Sequence, residues 1–294
     1  MRYNNADMKD KCVAVLGAGQ MGGGIAQVCA SAGMRVYLYD SHAAQISAAM
    51  SGIAKSAQKA HEKGAAPTAD DVVGNITLCD SLDKWLSEAV FVVEAISEDF
   101  AAKTELYEKA APLLSDSAVF ATNTSSFSIA GLSSAVVNPQ NFIGVHFMNP
   151  APRMRLVEII PGKDTSPATV TEAESFAQRL GKDTVLSADS PGFITNRILM
   201  PLINEAIFAL HANIGNAQDI DRAMTLGMNH PMGPLTLADF IGLDTCLAVL
   251  RVLHKGLKDD KFTPCPLLLE KVSNGDLGRK SGRGFYDYSD GGGR

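Results

Sequence analysis

The apolar positions of this chain change period partway along it. Up to about residue 188, short apolar and often β-branched runs alternate with stretches of helical period; beyond that only the helical period continues. Runs at 11–16, 34–39, 75–79, 90–95, 118–121 and 141–145, with another near 184–186, predict strands. Between them, 25–30, 43–64, 100–114 and 167–180 predict helices. This alternation predicts an α/β fold with a doubly wound, mostly parallel sheet. After a turn-rich boundary at 188–192, the stretches 193–212, 218–226, 235–241, 244–257 and 266–273 all predict helices. Pro201 marks a kink point in the first of these. The expected organisation is a sheet domain over 9–188 and an all-α domain over 189–294. The segment 274–288 is glycine-rich and basic, with aromatics at its end.

Two apolar segments break the strand-helix rhythm, because only Asn149-Pro-Ala-Pro152 separates them. The first holds His146 and the second Glu158. Prolines cannot continue a regular strand or helix, so the chain is expected to reverse near Pro152. His146 and Glu158 lie six residues either side of that point and would then face each other. An imidazole oriented by a carboxylate can serve as a general base. Taken alone, the stretch favours a hydrogen-bonded core histidine and a strand-end charge.

The first strand runs directly into Gly17-Ala-Gly-Gln-Met-Gly22, then a helix, then a second strand closed by Asp40. This is the dinucleotide fingerprint in its proper context. Gly17 serves the tight turn, Gly19 the approach of the backbone to a pyrophosphate, and Gly22 the packing of helix on strand. The helix N-terminus offers free N–H groups to the phosphates. Asp40 is placed to accept from the ribose hydroxyls and to repel a 2′-phosphate, which favours NAD over NADP. The sheet domain is therefore expected to be Rossmann-type, with Gly17, Gly19, Gln20, Met21, Gly22 and Asp40 binding the cofactor. Ligands of such sheets sit beyond the carboxyl ends of the strands. There the chain carries Glu98 with Lys103, then Asn123-Thr-Ser-Ser126, then His146 with Asn149. Ser125 or Ser126 could equally be a helix cap. Lys55, Lys59 and Lys63 recur at helical spacing, as a solvated face or as contacts for a long anionic substrate.

Composition narrows the options. The chain has 294 residues, 46% hydrophobic and 20% charged, with a net charge of −6, which argues against a general nucleic-acid or membrane-surface binder. Five scattered cysteines without CxxC spacing read as reduced core residues of a cytoplasmic protein. The histidines do not cluster, so no metal is expected. No apolar run approaches membrane-spanning length. Residues 1–10 are polar, lack the features of a targeting signal and read as a disordered lead-in.

Several motifs together resemble the L-3-hydroxyacyl-CoA dehydrogenases. They are the glycine loop, Val93-Glu-Ala-Ile-Ser-Glu98, Ala121-Thr-Asn-Thr-Ser-Ser126, His146-Phe-Met-Asn-Pro150 and Leu156-Val-Glu158. Asp189-Ser-Pro-Gly-Phe-Ile-Thr-Asn196-Arg, His230-Pro-Met-Gly-Pro234 and Gly278-Arg-Lys-Ser-Gly-Arg-Gly-Phe-Tyr-Asp-Tyr288 extend the resemblance over nearly the whole chain. It implies NAD-dependent interconversion of an L-3-hydroxyacyl-CoA, of short chain as in 3-hydroxybutyryl-CoA, and the 3-ketoacyl-CoA, in fatty-acid or butyrate metabolism. It implies His146 as general base with Glu158 as its partner, Ser125 and Asn196 on the substrate oxygen, and Asn149 supporting that pocket. Glu98 and Lys103 would lie beside the nicotinamide ribose, with Asn123 among the cofactor residues. Ser56, Lys59 and Lys63 would contact the CoA, although this helix is less basic than the family's usually is. A homodimer through the helical domain is also implied. The rival readings are a dehydrogenase of a free hydroxy acid and a non-catalytic dinucleotide-binding protein on the same fold.

Overall fold

The computed structural model describes residues 12–64 and 67–289, so the expected lead-in at 1–10 lies outside the described residues. Contacts divide the chain into two compact units, the first ending at Ser190 and the second beginning at Pro191.

The first unit is an eight-stranded sheet. Its strands are β1 (Cys12–Leu16), β2 (Arg35–Tyr39), β3 (Ile76–Cys79), β4 (Ala89–Glu94), β5 (Val119–Thr122), β6 (Phe142–Phe147), β7 (Leu156–Pro161) and β8 (Asp183–Leu186), in the spatial order β3-β2-β1-β4-β5-β6-β7-β8. β3 through β6 pair in parallel. Strands β1, β5 and β6 are buried along their whole length, as strands covered on both faces must be. The edge strands β3 and β8 carry mostly exposed or half-buried positions.

Helices α1 (Gln20–Ser31), α2 (Ala43–His61) and α6 (Pro167–Arg179) pack one core, in which Val13 and Val15 meet Ile25, Cys29, Ile53 and Phe176. Elsewhere Tyr107 of α4 (Phe100–Ala110) packs its ring against Phe120 and Phe142 of β5 and β6. The short helix α3 (Ala69–Gly74) was not expected, because it is too short to show a period, and α5 (Ile129–Leu132), the helix that Ser125 or Ser126 could have capped, is capped instead by Ser128. A capping box from Thr68 to Asp71 starts α3.

The reversal near Pro152 is present. β6 and β7 are antiparallel neighbours, and His146 stands opposite Glu158 in register. Arg153 and Met154 both donate their N–H groups to the Pro150 carbonyl, at 3.0 and 3.1 Å, closing the turn. β8 then runs parallel to β7 after the α6 crossover. The sheet is therefore mixed at this end and parallel elsewhere.

One expectation is corrected on α2. The helix ends at His61, and Lys63 falls in the turn that Gly64 closes at a φ of +85°. Lys55 and Lys59 share the helix, but Lys63 does not extend that face by helical spacing. The expected helix over 100–114 likewise stops at Ala110 and tightens into a 3-10 turn through Leu113.

The second unit is helical, with α7 (Thr195–His211), α8 (Ala217–Arg222), α9 (Pro234–Ile241), α10 (Leu243–Leu257) and α11 (Pro266–Ser273). Pro201 lies inside α7, and a π turn over Ala223–Gly227 follows α8. The basic, aromatic segment after α11 is tied down by Asp239. That carboxylate accepts from the Phe285 and Tyr286 amides and from the Tyr288 hydroxyl, at 2.9 to 3.0 Å.

Candidate active site

The glycine loop is shaped by what glycine alone allows. Gly17 sits at a φ of +108°, and a Cβ there would come within 2.7 Å of the Ala95 carbonyl at the end of β4. At Gly22 a Cβ would lie 1.8 Å from the Gly17 carbonyl, so helix and loop touch backbone to backbone. Gly19 differs, with nothing within 4 Å of its would-be Cβ. A side chain there would fill the space that a pyrophosphate needs. Gly19 is also the N-cap of α1, which has no side-chain cap and no acidic residue in its first turn. Its N–H groups and dipole are thus available to an anion.

A cavity of about 740 Å³ opens beside this loop, lined by Gly17, Gly19, Gln20, Met21, Asp40 and Ile96 among others. The Asp40 carboxylate is anchored there, accepting from the Ala18 amide at 2.8 Å and the His42 amide at 2.9 Å. These residues fit a dinucleotide. Gly22 supports the loop from beneath and does not line the cavity.

At the carboxyl end of β6, His146 is buried and its Nδ1 lies 2.7 Å from Glu158 Oε2 on β7. Glu158 has no exposure to solvent. An ionised carboxylate only accepts, so the shared proton belongs on Nδ1 and the lone pair on Nε2. The strand pairing creates this contact, because directly opposed residues project to the same face. Lys182, which was not singled out in the sequence, braces the reversal between the two strands. Its buried ammonium donates to the Ala151 and Met154 carbonyls at 2.7 and 2.8 Å, and burial holds its pKa below the usual lysine value. Asn149 accepts from Gln20 Nε2 at 3.2 Å, joining the turn after β6 to the glycine loop. Asn123 accepts from the Phe147 amide at 2.8 Å and so brackets the ends of β5 and β6.

Glu98 organises the loop after β5. Its Oε1 accepts from the Thr124 hydroxyl at 2.7 Å, from the amides of Ser125 and Ser126 at 2.9 and 3.0 Å, and from their hydroxyls at 3.3 and 2.7 Å. Burial pushes the Glu98 carboxyl up. The Lys103 ammonium and these donors outweigh that effect and hold it below the ordinary carboxylate value.

Lys103, which the resemblance places on the nicotinamide ribose side, has a side chain 1% exposed that pairs with Glu94 at 2.6 Å and Glu98 at 3.4 Å. The sequence offered one unused signal here, an acid ending the otherwise apolar strand β4.

Ser56 lines a second cavity of about 350 Å³, with Gly24, Gln27, Pro150 and Pro152. Lys59 and Lys63 are exposed. Asn196 sits half-buried in the first turn of α7, in the second unit. Among the described residues no group of three or more His, Cys, Asp or Glu could hold a metal ion, and no helix is long and apolar enough to cross a membrane.

Comparison with known proteins agrees with this geometry. Residues 12–190 match the profile described as 3-hydroxyacyl-CoA dehydrogenase, NAD binding domain, and residues 192–288 match that family's C-terminal domain. The 3-hydroxybutyryl-CoA dehydrogenase of Bradyrhizobium diazoefficiens is 47% identical over 280 residues, covering 95% of each chain. That of Clostridioides difficile is 38% identical over 279 residues, covering 94% of this chain and 99% of its own. The crystal structure of (S)-3-hydroxybutyryl-CoA dehydrogenase from Ralstonia eutropha superposes with a TM-score of 0.90 at 39% identity, over 95% of this chain and 99% of that one. The chain is an NAD-binding oxidoreductase and belongs to the 3-hydroxyacyl-CoA dehydrogenase family.

Proposed function

We propose that this enzyme interconverts a short-chain L-3-hydroxyacyl-CoA, 3-hydroxybutyryl-CoA, and its 3-ketoacyl-CoA, with His146 as the general base. The observation that carries the proposal is the buried 2.7 Å contact between His146 Nδ1 and Glu158 Oε2 on paired strands. The short chain length is supported by the names of the relatives.

Bound NAD supplies the hydride acceptor. In the oxidation, His146 Nε2 takes the hydroxyl proton as the carbonyl forms. Glu158 holds the tautomer that leaves Nε2 basic and stabilises the imidazolium that results. Ser125 donates to the substrate oxygen. Its hydroxyl bond to Glu98, at 3.3 Å, is the longest of the five that this carboxylate oxygen accepts, and so the most readily exchanged. The same donor in the reduction stabilises the developing alkoxide. Asn196 as a second donor, and Ser56, Lys59 and Lys63 as CoA contacts, rest on the family resemblance. So does a homodimer, for which the second unit exposes Ile198, Leu226 and Met228.

The test is NADH oxidation with acetoacetyl-CoA, with free acetoacetate and with no substrate. Turnover is expected with the thioester alone. Equal rates with the free acid would favour the hydroxy-acid reading, and no turnover with either would favour a binding protein.

A further inference from the structure

A closed ring of polar groups, buried at Glu94, Lys103, Tyr107 and Thr122 and reaching the surface at Glu98, lies beneath the Ser125 loop. Glu94, the last residue of β4, has no exposure to solvent. Its Oε1 accepts from Lys103 Nζ at 2.6 Å and from the Ile96 amide at 2.7 Å. Its Oε2 accepts from the Tyr107 hydroxyl at 2.5 Å and the Thr122 hydroxyl at 2.8 Å. All the acceptor sites of the carboxylate are thereby used. From Glu94 two arms run to Glu98. One passes through Lys103, whose Nζ lies 3.4 Å from Glu98 Oε2. The other passes through Thr122, which stands beside Glu94 in the sheet and accepts from the Thr124 amide at 3.3 Å. The Thr124 hydroxyl then donates to Glu98 Oε1 at 2.7 Å.

We infer that Glu94 is a positioning residue for the reaction, acting through Lys103 and Thr122 on Glu98, and through Glu98 on Ser125. The inference rests on the proposed role of Ser125 at the substrate oxygen. A carboxylate and an ammonium, Glu94 and Lys103, are costly to bury, and an apolar pair of the same volume often stabilises a fold equally well or better. Stability alone therefore does not account for the ring, but orientation does. With Oε2 of Glu98 held toward Lys103, its Oε1 faces the amides and hydroxyls of residues 124–126. Without the Glu94 carboxylate, Lys103 and Thr122 lose the acceptor that fixes them, and neither arm holds Glu98 in this orientation. Burial and the neighbouring Glu94 charge hold the Tyr107 phenol well above its ordinary pKa, so it remains a donor to Glu94 throughout the working range.

Three variants test this. Glu94→Gln keeps the shape and removes the charge. Tyr107→Phe removes a single donor and is the milder probe. Glu94→Gln with Lys103→Met neutralises the pair. Glu94→Gln should lower kcat for acetoacetyl-CoA reduction by about 10–100-fold, the range that loss of alignment produces, while KM for NADH stays close to wild type. Tyr107→Phe should shift kcat the same way by less. The double variant should recover thermal stability without recovering kcat.

Hydrogen exchange reads the ring without any substrate. The Ser125 and Ser126 amides, which donate to Glu98 at 2.9 and 3.0 Å, should lose protection in Glu94→Gln and Tyr107→Phe, while α1 amides keep theirs. Recovery of kcat together with stability in the double variant would overturn the inference. So would unchanged protection of those two amides in a folded Glu94→Gln protein. An inactive wild type would overturn the functional reading instead, and hydrogen exchange would then decide the ring alone.

Discussion

Replacing Glu158 by glutamine tests the proposed dyad with the least disturbance of shape. The carboxylate is wholly buried, with Oε2 2.7 Å from His146 Nδ1. At that separation a carboxylate and an imidazolium attract by roughly 6 kcal/mol at an effective dielectric of about 20. The ground state carries a neutral imidazole, so the attraction grows only as the proton moves. With the proton about half transferred, roughly 3 kcal/mol acts in the transition state, worth about 10²-fold in rate. The amide adds a second effect. If its nitrogen donates to Nδ1, the ring proton moves to Nε2 and the base is blocked; an equivalent carboxylate-to-amide change in serine protease triads costs about 10⁴-fold.

The expected loss in kcat is therefore about 10²–10⁴-fold, with binding of NADH little changed. Steady-state NAD reduction with 3-hydroxybutyryl-CoA, the direction in which the neutral imidazole takes the proton, measures the first and fluorescence titration with NADH the second. Thermal melting establishes that the variant is folded. A folded Glu158→Gln enzyme with kcat within about threefold of wild type would refute the reasoning, because neither the charge nor the tautomer would then matter.

Two further outcomes follow from the nucleotide cleft and the serine loop. Gly22→Ala places a methyl 1.8 Å from the Gly17 carbonyl, so α1 must move off the loop; melting should show a loss of about 1–3 kcal/mol and NADH titration a clear drop in affinity. The Glu98 carboxyl is held below its ordinary value of 4.5, so its stabilising contribution is present above that pH and is lost as pH falls through the lower, folded-state value. Glu98→Gln should accordingly flatten the acid limb of the stability–pH curve below about 4.5, and an unchanged acid limb would mean that the clamp on residues 124–126 contributes nothing.

The Glu94–Lys103 pair shows why part of the site was not legible. Charged side chains are seldom buried without partners, and no spacing in the sequence names the partner of this lysine. Its main partner, Glu94, belongs to a strand and lies nine residues earlier, and only the packing of α4 on the sheet brings the two together. Lys182 was missed for the same reason, because its partners are backbone carbonyls of a distant turn, which carry no side-chain signature. At Lys63 the error was local. Four-residue spacing was extended past the point where the helix ends.

What the sequence determined by itself was local or set by chain reversal. The glycine loop and Asp40 belong to one contiguous unit, and Gly17 and Gly22 each answer a steric demand that no other residue meets. The His146–Glu158 pairing was also legible, because prolines fix where the chain turns and residues equidistant from a hairpin's centre must oppose each other. The tertiary structure alone decided the rest. Placing β4 and β5 side by side brings Ser125, from a separate loop at a strand end, onto the Glu98 carboxylate, and it buries Glu94 and Lys103 beneath them. Such contacts depend on strand order and on the low dielectric of the packed core, and neither is written in the spacing of residues along a chain.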